Sequence, residues 1–251
     1  MERVLGMRLK CLGSGSAGNC YLFEASDGVL MVEAGISFME VKKALKFKIS
    51  RIVGCLISHE HKDHSKYLKD VIGCGIRTLA LSEVFDSQGI SNRVFCKEIQ
   101  SWHGYRIGGF KVFAFGVAHD VPCLGFLISH KEMGNLLFVT DTMMLEYRMP
   151  DLNHVMLEAN YADDILQSNI IRGIVPFGMR DRLLHSHMEL ETTKDILRAN
   201  NLSEVNEVVL LHLSGNNSDA DRFRKEVSEV SGKPTYIAEN GLDIDLSLIP
   251  Y

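Results

Sequence analysis

The sequence predicts an α/β sandwich, two mixed β-sheets packed against each other with helices on their outer faces. Three observations lead there. Apolar runs of strand length recur between turn signals along the chain. Both halves contain strand-rich stretches followed by segments of helical spacing. One strand-like run, Ile52 to Ile57, passes directly into the cluster His59-Glu60-His61-Lys62-Asp63-His64. The chain has 251 residues, 46% hydrophobic and 24% charged, which suits one large soluble domain spanning residues 1–251. It contains no repeat, low-complexity tract or linker.

In chain order, Met7 to Leu12, Cys20 to Glu24 and Gly28 to Val32 read as opening strands, the first two joined by Gly13-Ser14-Gly15-Ser16-Ala17-Gly18-Asn19. Phe38 to Leu45 has helical spacing. Ile52 to Ile57 is a buried strand and Lys66 to Ile72 a helix behind the histidine turn. Arg77 to Leu81 and Arg93 to Glu98 flank a short helix near Glu83. Tyr105 to Ile107, Phe110 to Gly116, Leu124 to Ser129 and Leu136 to Thr140 form a meander. His154 to Glu158 is a strand and Asp163 to Arg172 a helix. Glu189 to Ala199 is a helix with Asn200-Asn201 as its stop. Glu207 to His212 is a strand and Asp219 to Ser231 a helix. Thr235 to Ala238 and Leu242 to Leu246, across Asn240-Gly241, predict a terminal hairpin.

Several function classes are set aside. The formal charge of −5 argues against broad electrostatic capture of nucleic acid, though not against a substrate held locally. No apolar run reaches the roughly 20 residues needed to cross a bilayer, so no membrane partner is expected. Met1 to Lys10 lacks a secretory pattern, which predicts a cytoplasmic protein. The six cysteines, Cys11, Cys20, Cys55, Cys74, Cys96 and Cys123, form no C-x-x-C pair and read mostly as buried free thiols.

The chemistry is concentrated at His59, His61, Asp63 and His64. Four ligand-type residues in six, at the end of an apolar strand, are hard to explain by packing. Imidazole and carboxylate suit zinc or manganese, with iron a further option, and the supply of ligands suits more than one ion. His119, Asp141 and His212 each end another apolar strand and are candidates for the remaining ligands. His103, His130 and His154 lie in polar or strand-start positions and read as structural.

These residues resemble the metallo-β-lactamase superfamily pattern: a strand, H-x-H-x-D-H, then His, Asp and His after successive strands. Within it the chain is similar to the YycJ/WalJ-type proteins and their phage-borne relatives. Leu12 to Cys20, Glu158-Ala159-Asn160-Tyr161 and His212-Leu213-Ser214-Gly215-Asn216-Asn217 carry that closer likeness. The resemblance implies the αββα metallo-β-lactamase sandwich. It implies that His59, His61 and His119 hold one metal, that Asp63, His64 and His212 hold the second, and that Asp141 bridges them. It also implies a role for Glu33 behind the ligand turn, although the family has Asp where this chain has Glu33-Ala34-Gly35.

Two divalent ions about 4 Å apart can share a hydroxide and stabilise attacking and leaving oxygens. Asp63 and Asp141 would orient that nucleophile. No G-x-S-x-G segment competes for the role. Arg180 to His187 is polar and basic and precedes a helix, so it could present His187 and that helix's N-terminus to an anion. The resemblance puts His187 in a Gly/Ser-His motif, where it would polarise the phosphate or protonate the leaving oxygen, with Ser186 beside it. Ser14, Ser16, Asn19, Asn160, Asn216 and Asn217 are further candidates for contacts to substrate.

This donor-rich set points to a phosphodiesterase or nuclease acting on nucleic acid or nucleotides, and the resemblance implies DNA exonuclease-like activity. The alternatives are an acyl, lactone or thioester hydrolase on the same fold and a non-catalytic metal-binding module. The first would want a small apolar mouth and the second should have lost ligands.

Overall fold

The computed structural model describes residues 6–176 and 178–248. Of the stretch Met1 to Lys10, the first five residues lie outside that range. The described residues form two seven-stranded sheets. In the first sheet, β1 (Arg8–Gly13), β2 (Cys20–Ala25) and β3 (Gly28–Val32) pair antiparallel. β4 (Ile52–Leu56), β5 (Thr78–Ala80) and β6 (Cys96–Glu98) continue it in parallel.

The second sheet opens as the predicted meander of β7 (His103–Ile107), β8 (Phe110–Val117), β9 (Cys123–His130) and β10 (Gly134–Val139). It then turns parallel through β11 (His154–Glu158), β12 (Glu207–Leu211) and β13 (Thr235–Ile237). β3, β11 and β12 are buried at every position. Strands with such apolar centres suit parallel pairing with both faces covered.

The core is layered accordingly. Phe23, Phe110, Phe126 and Phe138 interdigitate between the sheets. Helices α1 (Phe38–Ala44), α3 (Leu68–Gly73) and α4 (Ser82–Ser87) bury Val41, Val71 and Phe85 on the first sheet's outer face. Helices α7 (Leu190–Ala199) and α8 (Ala220–Ser231) bury Leu197 and Phe223 on the second. Successive residues of β11 sort to opposite layers: Met156 joins the central core, while Val155 and Leu157 face the helices. This is the expected αββα sandwich. No helix among the described residues is long and apolar enough to cross a membrane.

Three local expectations are corrected. The segment behind the histidine turn is two short helices, α2 (Lys62–Ser65) and α3, and not one helix from Lys66. Arg180 to His187 is itself mostly helical, as α6 (Met179–Ser186), after α5 (Asp163–Ile171). The terminal hairpin does not form. β13 pairs with β12, while β14 (Asp243–Asp245) crosses to the other sheet and pairs with β1, Arg8 opposite Asp245. The Asn240-Gly241 turn makes that crossover, with Gly241 N donating to Cys11 O.

Candidate metal centre

The histidine turn is held by backbone from two segments. Asn19 N donates to Asp63 O at 2.7 Å, and Ala34 N to His64 O at 2.7 Å. Gly35 lies so close that a Cβ there would come within 1.6 Å of the Asp63 carbonyl oxygen. Only glycine admits that approach, which accounts for Glu33-Ala34-Gly35. His59 is fully buried. Its Nδ1 bonds Ser58 Oγ at 2.9 Å, while its Nε2 is buried without a hydrogen-bond partner.

The remote candidates arrive from strand ends. β10, β11 and β12 run parallel, so Asp141, Glu158 and His212 leave the same edge of the sheet. Asp141 and His212 have φ of 24° and 53°, and Glu33, ending β3, has 67°. Left-handed backbone at non-glycine residues costs on the order of 1–3 kcal/mol each, and here it turns side chains off their strands. His212 N donates to Ser14 Oγ at 2.9 Å. His119 follows β8, and its Nδ1 donates to the Ser186 carbonyl at 2.9 Å, leaving Nε2 3.3 Å from His61 Nδ1.

These side chains gather into two groups. His59, His61 and His119 offer atoms within 4.8 Å of one another, and so do Asp63, His64, Asp141 and His212. Nitrogen and oxygen donors at this spacing suit divalent cations, and the bare His59 Nε2 is a buried polar atom that a cation would satisfy. Charge points the same way. Burial would raise the Asp141 carboxyl, but His212 and His64 outweigh it and hold it well below its usual range. Burial and the adjacent His64 push His59 well below its ordinary value, so it stands as the neutral imidazole that metals require. All seven residues predicted as ligands therefore converge, and Asp141 lies between the groups, 3.2 Å from His64 Nε2.

Three further acids stand beside or behind the candidate ligands. Glu33 carboxylate oxygens accept from Ser58 N at 3.3 and 3.4 Å, and Oε2 is 3.5 Å from His64 Nδ1. Glu158, fully buried at the end of β11, was not predicted to take part. It accepts from Thr142 N at 2.8 Å, Met188 N at 3.2 Å and His187 Nδ1 at 2.7 Å. Burial would lower His187, but the Glu158 carboxylate, with Asp141 and Asp63 beyond it, raises it to about 9. Asp120 was also missed: its Oδ1 is 3.1 Å from His119 Nε2 and 3.4 Å from His61 Nε2. The signals existed, an acid ending an apolar strand and an acid beside a ligand.

His187 follows α6 and faces a cavity of about 340 Å³, which Asp63, His119, Asp141 and His212 also line. Lys62 and Arg182 stand exposed on its rim. The N-terminus of α7 is not open to an anion, because the Glu189 carboxylate caps it by accepting from Glu191 N. Among the predicted substrate contacts, Ser16 is exposed on the cavity. Ser14 and Asn19 face inward instead. Ser14 Oγ also bonds the Tyr21 hydroxyl at 2.7 Å, and buried Asn19 bonds Gly15 N at 2.8 Å and His64 Nε2 at 3.0 Å. Ser186 Oγ donates to Arg182 O. Asn160 Nδ2 donates to His212 O at 2.7 Å, with Oδ1 left unpartnered. Asn217 is buried against Asn169, and Asn216 is exposed.

Comparison with known proteins agrees with this geometry. The family described as the metallo-beta-lactamase superfamily matches residues 13–72. The exodeoxyribonuclease YycJ of Bacillus anthracis is 26% identical over 250 residues, covering 90% of this chain and 89% of that protein. The exodeoxyribonuclease WalJ of Streptococcus pneumoniae serotype 2 is 26% identical over 239 residues, covering 85% and 84%. The crystal structure of the metallo-β-lactamase fold protein YhfI from Bacillus subtilis superposes with a TM-score of 0.73 at 19% identity, covering 96% of this chain and 100% of YhfI. The resemblance read from the sequence thus extends over most of the chain, and the sandwich is the metallo-β-lactamase fold.

Proposed function

We propose that this chain, with its metallo-β-lactamase fold and ligand signature, is a metal-dependent phosphodiesterase that acts on nucleic acid, DNA above all. The observation that carries the reading is the convergence of seven imidazole and carboxylate groups, Asp141 among them, with His187 alongside on a buried carboxylate. The two nuclease-named relatives support it over most of their length.

On this reading His59, His61 and His119 would hold one divalent ion, Asp63, His64 and His212 would hold a second, and Asp141 would serve both. Zinc or manganese suits the imidazole and carboxylate donors, with iron a further option. Such ions, when bound, polarise a phosphoryl oxygen and make water a nucleophile at neutral pH. Asp63 and Asp141 would accept hydrogen bonds from the attacking water and so orient it. His187 is anchored through Nδ1 to Glu158, which leaves Nε2 free to carry a proton to the leaving oxygen. Lys62 and Arg182 neutralise phosphate charge at the rim. All six cysteines are free, which suits a cytoplasmic setting.

The test incubates the metal-reconstituted protein, beside His61→Ala, with end-labelled single- and double-stranded DNA and RNA. Cleavage of DNA by the wild type and its loss in the variant are expected. Opening of a lactone or thioester with no cleavage of any nucleic acid would overturn the reading.

A further inference from the structure

A second cavity, of about 200 Å³, adjoins the metal cavity and shares Ser16 and His187 with it. Its wall is apolar where the chain approaches and enters α6: Val175, Pro176, Met179 and Leu183 line it. Asn160 and Asn216 line it too. Asn160 is 97% buried, and its Oδ1 has no partner among the described residues. A buried amide oxygen without a donor is costly unless something supplies one. The cavity is smaller than the roughly 300–1,000 Å³ that drug-sized ligands occupy, so it suits one ring system and not a stacked pair.

We propose that this niche receives the nucleoside on the leaving side of the scissile phosphate. The inference rests on the phosphodiesterase reading above. His187 stands at the boundary between the two cavities, and its Nε2 faces away from Glu158. In hydrolysis the water oxygen bonds to phosphorus and the bond from phosphorus to the leaving oxygen breaks. The leaving oxygen takes the His187 proton, and the water proton passes to solvent. The group that departs past His187 therefore lies in the niche. A nucleobase matches its walls, since the flat faces lie against Val175 and Leu183 and the polar edge meets the exposed amide of Asn216.

The experiment uses the reconstituted full-length protein and labelled DNA with one scissile phosphate, the base removed from the nucleoside on its leaving side or on its phosphate-retaining side. Removal on the leaving side should lower kcat/KM about tenfold, within the contribution of a bound base, and removal on the other side should change it little. Ile174→Asp, at the exposed lip of the niche, and Leu183→Trp, which fills it, should each bring the intact-to-abasic ratio toward one. Bis(4-nitrophenyl) phosphate, which has no base, separates the two ideas. Hydrolysis of it by the wild type, with no preference for a base on the leaving side, would overturn the niche and leave the phosphodiesterase reading standing. Failure to hydrolyse it or any DNA would remove both.

Discussion

Glu158 Oε1 accepts the Nδ1 hydrogen of His187 at 2.7 Å from a fully buried position, so the imidazole is oriented by a carboxylate that substrate cannot touch. Replacing His187 with Ala should lower kcat on DNA by roughly 100-fold or more, the usual contribution of a general acid, while metal content stays constant. Loss of metal in elemental analysis would make His187 a ligand and refute the role.

Glu158→Gln keeps the shape and removes the charge. The carboxylate raises the His187 pKa, and the active form is the protonated one, so activity is present below that pKa and is lost as pH rises through it. Without the charge the alkaline limb of the kcat profile should move to lower pH. An unmoved limb in a folded, metal-loaded variant would show that another group titrates.

Metal should stabilise the fold. Chelation should lower Tm, and re-addition of zinc or manganese at about 100 times its Kd should restore about 3 kcal/mol, some 5–10 °C for a chain of this size. Asp141→Ala leaves both ligand groups without their shared carboxylate and should abolish the gain. An Asp141→Ala protein that still gains several degrees would rule out a shared ligand.

Ser14 and Gly35 set ligands without being ligands. Ser14→Ala leaves the backbone N–H of His212 without its acceptor and should destabilise by about 1–3 kcal/mol in denaturant melts. Gly35→Ala drives a methyl into the Asp63 carbonyl and should displace the histidine turn, lowering metal content below that of the wild type. Normal metal uptake by Gly35→Ala would show that the turn can shift without cost.

Thiol labelling should report burial. Burial raises the Cys20, Cys55 and Cys123 thiols well above their ordinary value and raises Cys11 to about 12. Only exposed Cys74 and partly buried Cys96 should react with iodoacetamide in the native protein, as mass spectrometry would read. Modification of Cys55 at native pH would mean that the sheet beside the histidine turn opens readily.

The candidate metal site was legible because its chemistry is local: a polar cluster at the end of an apolar strand stands out against any packing role. The sandwich was legible because period-2 and period-3.6 patterns alternate along the chain. Strand partners were not. Asn240-Gly241 has the sequence of a hairpin turn, yet backbone bonds to Cys11 from Gly241 and Leu242 draw the chain to the other sheet. Nor did the sequence give Glu158 a part in the site, although it too is an acid at the end of a buried strand. Only the backbone shows that Asp141 leaves its strand at φ 24° toward the ligands, while Glu158 stays in line and reaches His187. The inward turn of Ser14 and Asn19 depends on contacts with His212 and His64 made across the fold.

The crossing of β14 to β1 also bears on the order of assembly. Arg8 meets Asp243, a partner 235 positions further along the chain. During synthesis β1 can zip to β2 early, but its outer edge stays bare until the last strand emerges. An uncovered edge is a template for pairing with other nascent chains. Such a long loop must close before the contact rewards it, which makes this pairing among the slowest. Productive folding therefore requires β14 to reach that edge before another chain does.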